Sequence, residues 1–139
     1  MVRLLPKGVK REELLLAVLR MFNRLGREEV SLVELLEAVK NLQRSYKQLR
    51  YDFWDRFIYS PKLANDLSKL EPFYVKRIVY RHDAYLPKTY FALTILGQGR
   101  GEVIVNKLDD ELKNKLKESV IQAVKSYDET WKLWRRPSY

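Results

Sequence analysis

Apolar residues recur at three- and four-residue steps from Glu12 to Leu25, at Leu14, Leu15, Val18, Leu19, Phe22 and Leu25. That spacing predicts a first helix with one buried face, and Gly26 is a natural stop for it. A short polar break, Arg27-Glu28-Glu29, leads to Ser31, with Glu34 three residues on. This is the spacing of a capping box, and Val30 is placed to act as a hydrophobic staple. The stripe Leu32, Leu35, Leu36, Val39 and Leu42 predicts a second helix. About five connecting residues make the two helices a packed pair. Ser60-Pro61 opens a third helix, Ser at the N-cap and Pro in the first turn, ending near Glu71 before Pro72. Leu63, Leu67 and Leu70 share one side. At about 100° per residue, Lys62, Asn65, Asp66 and Lys69 fall on a neighbouring polar side, predicted to face solvent.

Between the second and third helices the pattern is less decisive. Gln43 to Arg50 is polar and basic and suits either a helical extension or a connector. Tyr51 to Tyr59 is dense in aromatics; Tyr51, Phe53 and Phe57 share the parity of one strand face, with a helix through Phe57 as the competing reading. After the third helix, Phe73 to Tyr80 and Tyr90 to Leu96 are β-prone runs. A polar break at Arg81-His82-Asp83-Ala84 and Leu86-Pro87-Lys88 separates them, which predicts a hairpin. Gly97, Gly99 and Gly101 read as a flexible exit or hinge. From Asp109 to Trp134 a long helix is expected, with Leu108, Leu112, Leu116, Val120, Ala123, Val124, Tyr127, Trp131 and Trp134 on its stripe.

Composition narrows the chemistry. With 139 residues the chain suits one domain with one core. The longest apolar runs fall far short of the ~20 residues that span a bilayer, and no signal peptide is visible. No membrane association is therefore expected, and the expected location is cytoplasmic, with the nucleoid as the site of a DNA binder. The chain has no Cys and a single His, His82, which leaves no thiolate chemistry and no His-based metal cage. Asp109-Asp110-Glu111 are contiguous rather than set on separate elements, so they read as acidic residues at a helix start. The glycine-rich 97–101 segment lacks the Gly-Lys-Ser/Thr ending of a phosphate loop. The expectation is a protein that is not an enzyme, with no cofactor and no metal. A net charge of +9 then favours a polyanionic partner, nucleic acid first.

The segments YSPKLANDLSKL and YFALTILGQGR carry a family texture. The first is similar to the segment in which many winged helix-turn-helix proteins place their third helix. The second resembles the Y-x-L-T-x-x-G line that closes the wing in many prokaryotic members, with Tyr90, Leu93, Thr94 and Gly97 in those places. The resemblance spans residues 12–97 in element order. It implies an α+β fold of three helices and a β-hairpin wing in residues 1–101, followed by a long C-terminal helix in 102–139 that packs or dimerises. It also implies a DNA-binding transcriptional regulator acting as a homodimer through that helix. Beyond Thr94 and Gly97 it implies a further helix.

On this reading Lys62, Asn65 and Lys69 enter a major groove, where Asn pairs with adenine and Lys with guanine or phosphate. Lys76, Arg77, Arg81 and Lys88 flank the wing and contact phosphate, and Arg44, Lys47 and Arg50 form a second phosphate patch. Most of the positive charge lies on the hairpin, so residues 76–88 are expected to supply affinity and Lys62 to Lys69 specificity. The bland readings are a solvated helix face for 62–69, solubility for Asp66, and core packing for the aromatic run. Two alternatives stay open: base stacking on that aromatic run, and a winged-helix module for protein or RNA without sequence-specific DNA binding.

Overall fold

The computed structural model describes residues 8–46, 49–53, 59–80 and 88–135, with 130–135 described by backbone alone. The elements run α1 (Arg11–Arg24), β1 (Val30–Ser31), α2 (Leu32–Gln43), α3 (Pro61–Leu70), β2 (Val75–Tyr80), β3 (Lys88–Leu93), α4 (Ile95–Lys107) and α5 (Asp110–Arg135). The architecture is α+β: five helices and one three-stranded antiparallel sheet in the order β1-β3-β2.

The hydrophobic run Leu14 to Leu19 is buried without interruption, so the middle of α1 is enclosed on all sides, while its polar residues lie towards its two ends. It ends as its sequence demands. Gly26 has φ +91, its N–H reaches the Asn23 carbonyl, and the Arg27 N–H reaches that of Phe22. This pair of bonds closes the helix in a Schellman motif. At the start of α2 the Ser31 hydroxyl accepts from Glu34 N at 3.1 Å, and the Glu34 carboxylate accepts from Ser31 N at 3.2 Å. Val30 and Ser31, too short a run to show as a strand in sequence, pair with Phe91 and Tyr90 of β3. That pairing makes β3 the central strand.

Three expectations are corrected. The Gly97–Gly101 segment is helical and lies inside α4, so the division after residue 101 falls within a helix. A Cβ on Gly97 would lie 1.9 Å from the Tyr74 carbonyl oxygen, and one on Gly101 2.8 Å from that of Leu16. The glycines are therefore contact points where backbone meets backbone, not a hinge. Second, the strand expected over 90–96 spans 88–93, because Thr94 caps α4: its hydroxyl accepts from Gly97 N at 3.0 Å and donates to the Phe73 carbonyl at 2.6 Å. Third, residues 51–53 are neither strand nor helix.

Helix α4 lies along α1. Arg100 donates to Glu13 at 2.8 Å, and Arg20 to Glu102 at 2.7 Å, with Arg24 joining the second pair. Helix α5 packs along α2 and buries Leu112, Leu116, Val120 and Ala123, with Val124 and Tyr127 half-buried; the side chains of Trp131 and Trp134, at the far end of the expected stripe, lie outside the described residues. Asp109 accepts from Leu112 N at 2.8 Å, which is the helix-start role its sequence suggested. Arg27 ties this layer together, facing Glu34 on α2 at 3.2 Å and Asp128 on α5 at 2.5 Å. Among the described residues no helix is long and apolar enough to cross a membrane.

Candidate nucleic-acid interface

The sequence of α3 gives it two unlike sides. Leu63, Leu67 and Leu70 are buried, and Pro61, Lys62, Asn65, Ser68 and Lys69 are exposed. Ser60 caps the helix, accepting from Leu63 N at 3.3 Å, with Pro61 in the first turn. The row Lys62, Asn65, Lys69 therefore faces water as its spacing predicted.

Asp66 does not, and the expectation that it lies on the outer face to aid solubility is corrected. Its side chain is fully buried. Leu63, Asp66, Leu67 and Leu70 follow the i, i+3, i+4, i+7 spacing of a core seam, and Asp66 occupies one of those places. Arg11 donates to it through Nε at 2.8 Å and Nη2 at 3.3 Å, and the Tyr51 hydroxyl donates at 2.6 Å. Lys69 stands 3.7 Å away on its exposed side. Burial alone would raise the Asp66 carboxyl, but the Arg11 and Tyr51 hydrogen bonds outweigh it and hold the group below the usual aspartate range. Burial, with the Asp66 bond, pushes the Tyr51 phenol up, so it stays a neutral donor at any physiological pH. The Arg11 guanidinium also lies over the Tyr51 ring, 5.0 Å from its centroid. This set of side chains fastens α3 to α1 and to the chain around residue 51.

The connector after α2 is held as tightly. The Gln43 side-chain amide donates to the Tyr51 carbonyl at 2.9 Å and accepts from Tyr51 N at 2.8 Å. Tyr46 and Leu49 are buried, and so is Tyr51, with Phe53 and Tyr59 packed on the core. These aromatics are packing residues, and the remainder of the aromatic run lies outside the described residues. Arg50 takes a positive φ of 49, and its carbonyl accepts from Lys62 Nζ at 3.3 Å. Arg50 is thereby brought beside the first turn of α3. Arg44 is exposed and borders a groove of about 440 Å³ with Lys40, Gln43, Tyr51 and Phe53. Lys47, named with them, lies outside the described residues.

The hairpin separates its cations. Register pairs Arg77 with Phe91, Lys76 with Ala92 and Tyr80 with Lys88. Alternation along a strand therefore puts Arg77 on one face and Lys76 and Lys88 on the other. Arg77 is engaged: it donates to Glu71 at 3.0 and 3.3 Å and lies 5.7 Å over the Phe91 ring. Lys76 borders an open groove of about 760 Å³ that Glu28 and Glu29 also line. Arg81, His82 and the rest of the tip lie outside the described residues. Lys62, Asn65 and Lys69 with Arg50 form one exposed surface, whereas the described hairpin cations do not.

Sequence reasoning missed Arg11 and Tyr51 as the anchors of α3. The available signal was Asp66 itself, an acid at a seam position that requires a buried donor. No protein family's sequence pattern matches this chain, and no curated protein is significantly similar to it.

Proposed function

We propose that this chain is a winged-helix nucleic-acid-binding protein that lays α3 against duplex DNA and acts in transcriptional regulation. The observation that carries the reading is the exposed row Lys62, Asn65, Lys69 on a helix whose opposite seam is fastened by Asp66, with Arg50 beside its first turn. The order helix, strand, helix, helix, strand, strand and the β1-β3-β2 sheet are compatible with the expected wing. The net charge of +9 supplies attraction for a polyanion. Asn65 offers a paired donor and acceptor to an adenine edge, and the two lysines offer point charges to phosphate or guanine.

A second reading, a winged-helix module for RNA or protein, draws on the hairpin: Arg77 is already engaged by Glu71, and Lys76 and Lys88 face away from it. One experiment separates the two. A salt-titrated anisotropy measurement with mixed-sequence duplex DNA should show binding that weakens steeply with salt. No binding at ~50 mM salt removes the duplex reading and leaves the second.

A further inference from the structure

Helix α4 holds three glycines, and only two are explained within the chain. Gly97 and Gly101 lie where a Cβ would strike the Tyr74 and Leu16 carbonyls, whereas a Cβ on Gly99 would meet nothing within 4 Å. A glycine in mid-helix weakens the helix, so an open Gly99 has no local structural benefit. Its neighbours point the same way. At about 100° per residue Ile95, Gly99, Val103 and Leu96 share one arc of α4, with Gly99 in the middle and the uncharged Asn106 at its C-terminal end. Ile95 is 88% exposed, Leu96 64% and Val103 45%, and Phe73, whose carbonyl the α4 cap residue Thr94 grips, is 72% exposed. Together these side chains leave on the order of 500 Å² of apolar surface in water, a size that marks contact sites on soluble proteins.

We infer that this face is a self-association surface, on which α4 of a second copy crosses α4 at Gly99. Three observations select a second copy. The patch carries no charge, so two chains of net charge +9 can meet there without an ion of either sign being buried. A glycine notch with Leu96 one turn before it and Val103 one turn after is self-complementary under a two-fold rotation, each copy's side chains flanking the other's notch. Joined face to face, two such patches remove roughly 1,000 Å² from water, the size at which specific association begins. The α5 stripe from Leu112 to Ala123 is already buried, so among the described residues α4 carries the largest group of exposed apolar side chains on one helix. Glu102 and Lys107 border the arc as a polar rim. The inference does not rest on nucleic-acid binding.

Sedimentation equilibrium of the full chain, without nucleic acid, tests it. The wild type should sediment at twice the monomer mass in the micromolar range. Gly99→Ala places a methyl group in open space within its own chain, so it should raise the melting temperature of the dilute monomer. The same methyl group should weaken the dimer at least about tenfold by holding the two backbones apart. Leu96→Lys should weaken the dimer about a hundredfold with an unchanged circular-dichroism spectrum. A wild type that stays monomeric throughout overturns the inference, as does a dimer that survives both substitutions.

Discussion

Asp66 on α3 and Arg11 on α1 stand 55 positions apart in the chain and meet in a two-bond ion pair, with the Asp66 side chain fully buried and the Arg11 side chain 27% exposed. Breaking such a pair strands one partner, and here water can reach Arg11 but not the Tyr51 hydroxyl. Asp66→Ala is expected to cost about 3 kcal/mol and Asp66→Asn about 2 kcal/mol, read from urea midpoints at constant slope. A loss below 0.5 kcal/mol for both would show that the pair does not hold α3.

The same carboxyl sets an acid limit. Its folded pKa is depressed: burial works against the charge, but the Arg11 and Tyr51 hydrogen bonds prevail. A group of that kind contributes its stability above the unfolded value of about 3.9 and loses it as pH falls through the folded value. Wild type should therefore lose more stability than Asp66→Asn as pH falls below about 4, and the two curves should converge in acid. Parallel curves would place the acid sensitivity elsewhere.

Gly97 and Gly101 should differ from each other in a set order. A Cβ at Gly97 meets a carbonyl oxygen at 1.9 Å; at Gly101 the closest atoms are the Leu16 oxygen at 2.8 Å and Arg20 Cβ at 3.0 Å. Gly97→Ala is expected to cost about 3 kcal/mol and Gly101→Ala about 1 to 2 kcal/mol. Thermal melts of the two variants decide it, and a neutral Gly97→Ala would contradict the close approach of α4 to Tyr74.

Arg27 faces Glu34 at 3.2 Å, a charge contact without an aligned hydrogen bond, and its removal leaves a buried carboxylate with Ser31 as its remaining partner. Burial already raises Glu34 despite the opposing Arg27 charge and Ser31 bonds. Arg27→Ala should cost about 2 kcal/mol near neutral pH. The sign with pH is opposite to that of Asp66: a carboxyl raised in the fold loses stability as pH rises from about 4.3 through the folded value. The Arg27→Ala variant should thus be closer to wild type at pH 4 than at pH 7, and the reverse trend would exclude Glu34 as the cause.

For the proposed nucleic-acid contact, Lys62→Ala and Lys69→Ala should each lower the slope of log affinity against log salt by about 1. Arg77→Ala should lower it less, because its guanidinium is shared with Glu71 and the Phe91 ring. Competition binding across salt concentrations measures all three. Equal slopes for wild type and both lysine variants would move the contact off α3.

The four helices legible in sequence are those in which apolar spacing and end signals agree: Gly26 after α1, Ser31 with Glu34 before α2, Ser60-Pro61 before α3, and Asp109 before α5. Helix α4 was legible only through the family resemblance, which implied a helix beyond Thr94 and Gly97; on local preference alone its glycines argue for a loop. Their value appears only when Tyr74 and Leu16, distant in the chain, press against them. Asp66 was misread for a related reason, since its polarity suggested solvent while its place beside Leu63, Leu67 and Leu70 marked the core. The exposed row Lys62, Asn65, Lys69 was legible because helical spacing alone determines it. The division of Arg77 from Lys76 and Lys88 follows from strand alternation, whereas the engagement of Arg77 by Glu71 needed the fold.

The two-point grip of Gln43 on the Tyr51 backbone bears on rate as well as on stability. It joins the end of α2 to the segment that supplies Tyr51 to Asp66, so the backbone beneath Lys62, Asn65 and Lys69 is braced from within the chain, ready for the proposed nucleic-acid contact. A surface built in advance loses little chain freedom on association, and encounters are then limited by orientation and charge instead of by a folding step. Loosening that grip should therefore slow capture by the proposed surface and weaken the complex by a similar factor.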